Sequence, residues 1–343
     1  MARGGAGGGQ RRWSVAGVVD RFDSWLLSEA PAQRLAALRI LVGGFVVVYM
    51  ATTANEFGRV TRLPESDFAP VGLAALLRAP LSQDQIRVAI VLAIVCGLAF
   101  TSGIMFRLSG PAFAIATLGW ASYHSSWGQM LHFEHLFTLH VLILGFSPTA
   151  DVWAARFRLG PTRRLRPRLD WSNRAPVDHV RYGWPIKLLA IVTSVTYVVS
   201  AVTKLRVSGL AWVDASTLSS HIAYSATRLD LLGSRRPPLA ALVLRNRWLL
   251  GPMAWATLLI ESFAPIALLG GRWRRWWVVA ALLLHTGAAV TMFVWFPFHG
   301  LGFAVLPLFR CETLFSRVFK PPASKAMLGH GYPLNPTSGY EAE

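Results

Sequence analysis

The chain has 343 residues, of which 53% are hydrophobic and only 15% charged, with a net charge of +17 and two cysteines. Together with a mean hydropathy of +0.42, this excludes a disordered chain and an ordinary soluble domain and points to a polytopic membrane protein. Cys96 and Cys311 supply neither a disulfide framework nor zinc spacing.

The first stretch, 1–30, is glycine-rich from Gly4 to Gly9 and carries Arg3, Arg11 and Arg12, which predicts a flexible basic N-terminus and lead-in rather than a signal peptide. From 31 to 312 the sequence predicts one helical membrane domain. Apolar windows long enough to approach the roughly 20 residues needed to cross about 30 Å of hydrocarbon fall at 36–52, 88–106, 109–123, 131–147, 185–203, 252–270, 276–293 and 295–309. The expectation is an all-α bundle of about eight transmembrane helices. Residues 313–343, rich in Pro, Gly and Ser, read as a flexible tail.

Orientation follows from arginine, which is retained on the cytoplasmic side. The N-terminus and the segment 151–184, with Arg156, Arg158, Arg163, Arg164, Arg166, Arg168, Arg174 and Arg181, are placed inside. So are the turn at Arg272, Arg274 and Arg275 and the tail, which makes both termini cytoplasmic. Segment 53–86, nearly neutral, falls outside. Segment 205–250 dissents, since it falls outside yet holds six arginines against two Asp. The high positive charge is thus a topology signal suited to an anionic leaflet of the cell membrane, and no nucleic-acid partner is expected.

Ionisable side chains at membrane depth are costly and mark functional sites by default. They occur here in the run from Trp127 to His140, which holds His132, Glu134 and His135, and at Lys204, which closes an apolar run. His124, Glu261 and His285 join them from other helices, most of them in the outer half of the bilayer. Each has a plainer reading. His124, His132 and Lys204 could place polar tips among headgroups, Glu261 could satisfy a group inside the bundle, and His135 or His285 could hydrogen-bond a neighbouring helix. Their coincidence favours one site. His132 and His135 share a helix face while His140 lies about 140° further round from His135, and the pattern matches no tight metalloenzyme signature, so no metal is assigned. There is no G-x-S-x-G elbow, P-loop or dinucleotide fingerprint either.

Three phrases resemble the HTTM family, the membrane domain shared with vitamin K-dependent γ-glutamyl carboxylase. They are Tyr197 to Val213 around Lys204 and Trp212, Glu134-His135-Leu-Phe-Thr-Leu-His followed by Ser147-Pro148 and Asp151, and His285 with the run from Phe298 to Pro307. The resemblance covers roughly 35–310. It implies a lysine, here Lys204, that deprotonates a vitamin K- or menaquinol-like quinol, with His135 as a catalytic partner. It also implies that His285 and Trp212 belong to the substrate site, which His132, His124 and Glu261 join as candidates from their shared membrane depth rather than from the resemblance. Glu134 stands where the family has Asn, Thr203 precedes Lys204 in place of a second lysine, and Leu284 replaces an aromatic before His285. The chain ends at 343, so the carboxylase's large luminal domain is not expected. A lysine amine in a partly dry site can serve as general base. The implied activity is carboxylase/epoxidase-like, a lyase or oxidoreductase, coupled to a partner protein or peptide. The alternative is a non-enzymatic maturation, export or binding partner built on the same bundle among membrane lipids.

Overall fold

A computed structural model describes residues 15–128, 132–159, 165–170 and 178–315. The basic N-terminal residues up to Arg12, the tail from residue 316, and Arg163, Arg164 and Arg174 lie outside the described residues. The helices are α1 (Val15–Leu26), α2 (Ala32–Arg59), α3 (Gln83–Ser102), α4 (Phe106–Ser125), α5 (His132–Gly145), α6 (Val180–Ser208), α7 (Ala215–Leu231), α8 (Ala240–Arg245), α9 (Leu250–Ser262), α10 (Gly271–Met292) and α11 (Pro297–Gly300). Short 3-10 turns link several of them.

Local chemistry sets the ends. Before α3, Ser82 and Gln85 form a reciprocal capping box in which Ser82 N donates to Gln85 Oε1 at 2.8 Å, satisfying amides that have no partner in the first turn. Gly103, at φ +78°, then ends the helix in a left-handed turn. His179 caps α6, its Nδ1 accepting from Arg181 N at 3.1 Å, and Asp214 caps α7 by accepting from Ser216 N at 3.3 Å.

Among the described residues, four helical stretches are long and apolar enough to cross a bilayer: Ala32–Arg62, Gln83–Ser102, Val180–Val213 and Gly271–Met292. This is fewer than the eight expected, and the reasons are local. The window 252–270 breaks after Ser262, where α9 gives way to a 3-10 turn over Ala264–Leu269 that holds Pro265. The window 295–309 forms only the four-residue α11 and a 3-10 turn over Phe303–Leu308, because Pro297 and Pro307 lack the amide that a continuous helix requires. Window 131–147 yields α5, of 14 residues. Helix α4 has 20 residues, but Arg107, Ser109, Pro111 and Thr117 dilute its apolar character.

The segment expected as a cytoplasmic loop contains an antiparallel hairpin, β1 (Ala154–Leu159) paired with β2 (Leu165–Asp170), with Ala154 opposite Asp170 and Leu159 opposite Leu165. Apart from a single bridge between Ala30 and His179, the regular structure among the described residues is otherwise helical.

Helix α2 is central, burying Leu35, Leu38, Val42, Val46 and Met50 against its neighbours. Glycines permit the closest crossing. A Cβ at Gly110 would lie 2.5 Å from Gly145 O, and one at Gly145 would lie 2.7 Å from Gly110 O, so α4 and α5 touch backbone to backbone. Outward faces are apolar as well: Val88, Val91, Leu92, Val95 and Leu98 form an exposed stripe along α3 at helical spacing. An apolar stripe of that length is compatible with lipid rather than water around the helix. At the opposite end of the bundle from the polar clusters described below, the fully buried Arg39 donates to Thr149 O at 2.8 Å and to Trp153 O, which fixes the chain after α5. Arg34 of α2 clasps Glu312 through Nε and Nη2. Asp151 accepts from Arg181 and, at 2.9 Å, from Tyr182 Oη.

Candidate functional site

The last turns of α6 carry Lys204 inward. Its Nζ donates to both oxygens of Glu261 at 2.7 Å, bringing the ends of α6 and α9 together. The Lys204 side chain is 20% exposed and that of Glu261 9%, so the ammonium is turned into the protein and does not snorkel outward. The indole of Trp212, on the 3-10 turn that follows α6, lies 5.2 Å from Nζ, within range for a cation–π contact.

These groups form one wall of a cavity of about 600 Å³, whose lining includes Lys204, Trp212, His221, Glu261, His285 and Phe296 together with apolar residues of α9 and α10. That volume falls in the range of small-molecule sites. The Trp212 Nε1 is buried and has no hydrogen-bond acceptor among the described residues. An indole N–H in that position offers a donor to an acceptor oxygen on a ligand.

His285, on α10, is held by Tyr197 of α6, with Nε2 and the phenol oxygen 2.8 Å apart. Its ring lies 4.8 Å from that of His299. Deeper still is His140, which sequence spacing pointed away from His135. Its Nε2 is 3.0 Å from Thr193 Oγ1, and that hydroxyl spends its proton on Ala304 O at 2.9 Å. Nε2 of His140 is therefore the donor, which fixes the tautomer. His299 and His140 were not assigned to a site from sequence; a polar residue within an apolar run was the only available signal.

The other expected residues lie elsewhere. Glu134, at 1% exposure, accepts from Tyr49 Oη at 2.6 Å and from Trp120 Nε1 at 3.4 Å, and stands 3.0 Å from His124 Nδ1. Its neighbour His135 is exposed on α5, its Nε2 3.3 Å from Ser125 Oγ, and does not line the Lys204 cavity. The side chain of His132 lies outside the described residues. The structure thus assembles Lys204, Glu261, His285 and Trp212 in one place and separates His124 and His135 from them. The division has a simple cause: α5 packs on α2 and α4 on α3 and α5, whereas α6, α9 and α10 enclose the second group.

No protein family, curated protein or solved structure was found to match this chain.

Proposed function

We propose that this protein is a multi-pass integral protein of the cell membrane, of HTTM type, whose Lys204 cavity takes a quinol or similar lipid-soluble aromatic. The observation that carries this reading is the inward-turned Lys204–Glu261 pair at the wall of an apolar cavity. A charged pair placed there is costly unless it is used or fully compensated. The sequence resemblance around Lys204 and His285 supports it.

Within this reading the deprotonated quinol passes its electrons to molecular oxygen, the co-reactant that the family resemblance implies. Lys204 and Glu261 act as one proton-accepting unit: as Nζ passes a proton to Glu261 it takes one from the approaching hydroxyl, and the pair goes from net neutral to net positive. Trp212 Nε1 orients an oxygen of the ring, and His285, braced by Tyr197, polarises another. Entry is lateral, from lipid. The bidentate closure of Lys204 onto Glu261 also favours a second reading, in which the pair is a structural clasp in a non-enzymatic maturation, export or binding protein.

Lys204→Arg separates the two. Guanidinium keeps the charge and can clasp Glu261 bidentately, but cannot give up its proton under physiological conditions. Membranes carrying the variant should lose at least about a hundredfold in quinol oxidation if the amine exchanges protons, with expression retained. Equal turnover in variant and wild type rules out Lys204 as base, and no turnover in wild type with any quinol favours the clasp.

A further inference from the structure

On the other side of the Phe293–Pro297 segment lies a second cavity, of about 530 Å³. Phe296 faces the Lys204 cavity, while Trp295 and Pro297 face this one. Its walls are largely aromatic, with Tyr49, Phe57, Trp120, Trp127 and Phe133 joining Trp295, and Thr53 and the exposed Glu56 and Arg59 add polar groups to the lining. One polar group of the wall is unlike the rest. His124, 19% exposed, turns Nδ1 to the buried carboxylate of Glu134, at 3.0 Å and 3.1 Å from its two oxygens.

The carboxylate decides the tautomer. Glu134 already accepts from the Tyr49 phenol and the Trp120 indole, so its hydrogen-bonding partners are all donors and it is held as an acceptor. The His124 proton therefore sits on Nδ1, and Nε2, which has no partner among the described residues, is a bare acceptor in the neutral ring. A carboxylate holding Nδ1–H in this way fixes the ring and its tautomer. Phe57 packs against the imidazole edge to face, with centroids 5.5 Å apart, which further restricts it.

We infer that this second cavity binds a planar aromatic molecule through a ring hydroxyl donated to His124 Nε2, with Glu134 as the positioning residue behind the histidine. The aromatic walls select a flat ring, and the fixed His124 acceptor, less exposed than the Glu56 carboxylate on the same lining, selects a ligand that donates. A saturated acyl chain would gain nothing from the dyad, and a ligand with acceptors alone would leave Nε2 unmatched. The inference is independent of the Lys204 reading, since no residue of the Lys204–Glu261 pair touches this cavity.

The test uses the full-length protein in nanodiscs and two probes of nearly equal shape, 1-naphthol and 1-methoxynaphthalene, the second lacking the donor. Binding is measured by equilibrium dialysis, with partition into empty nanodiscs subtracted. Wild type should bind 1-naphthol at least tenfold more tightly. His124→Phe and Glu134→Gln should each shrink that preference at least fivefold, while Val95→Ala, on the exposed stripe of α3 and lining neither cavity, should leave it unchanged. Equal affinity of wild type for the two probes overturns the inference, and needs no variant to fold. So does a preference that survives both dyad substitutions.

Discussion

Lys204 and Glu261, 57 residues apart in sequence, meet with Nζ 2.7 Å from each carboxylate oxygen. This contact joins α6 to α9 at the wall of the cavity and accounts for a lysine and a glutamate that apolar sequence alone makes expensive.

Removing one partner leaves the other charged and without compensation. Glu261→Gln should destabilise the folded protein by roughly 3 kcal/mol, and the double replacement Lys204→Met with Glu261→Leu should recover most of that loss. Thermal unfolding of the three variants in detergent checks it. A double variant no more stable than Glu261→Gln would show that the pair is not the source of the loss.

Orientation can be read chemically. The arginine bias places 156–168 inside and 62–70 outside. Single cysteines introduced into a Cys-free background should therefore react with a membrane-impermeant maleimide on intact cells at 62–70 and be protected at 156–168. Labelling of 156–168 from outside would invert the assignment and place both cavities toward the cytoplasm.

The crossing of α4 and α5 tolerates no side chain at its centre. In Gly145→Leu the new Cβ meets Gly110 O at 2.7 Å, and the neighbour is backbone that cannot swing aside. A loss of about 1–3 kcal/mol follows from such overpacking, to be seen as a lower melting temperature. Gly44→Ala, where a Cβ meets nothing within 4 Å, is the control and should be near neutral.

Cys311 is 3% exposed, and burial, aided by the neighbouring Glu312, pushes its thiol up to about 12. The folded state therefore favours the protonated form. The stability this contributes is complete below the ordinary thiol value of about 8.5 and falls as pH rises from there toward 12. Iodoacetamide at pH 8 should leave Cys311 unmodified in the native protein and alkylate it in denaturant, by mass spectrometry. Modification at equal rates in both states would contradict its burial.

Much of the helical framework was legible because long apolar runs admit few alternatives. The windows at 36–52, 88–106, 185–203 and 276–293 all lie within, or within a few residues of, the four long apolar helices. Where windows failed, at 252–270 and 295–309, hydropathy averaged over prolines that end a helix at a point. The hairpin at 154–170 was hidden for a different reason. Its alternating Arg-rich strands look like an ordinary basic loop, and pairing is a relation between two segments that neither displays alone.

For the sites, sequence was sufficient to mark costly side chains, since an ionisable group in an apolar run is visible one residue at a time. It placed Lys204, Glu261 and His285 among the candidates on that ground, and added Trp212 by resemblance. What it could not decide was partnership. His124, Glu134 and His135 lie close together in the chain and looked like neighbours of Lys204, yet only the packing of α5 on α2 and of α4 on α5 sends Glu134 to Tyr49 and His124 and leaves His135 beside Ser125, while the packing of α6 on α9 gives Lys204 to Glu261. The cost of each group is a local property of residue type and surroundings, written in the sequence itself. Which group offsets it depends on distances of about 3 Å between different helices, and only the tertiary structure sets those.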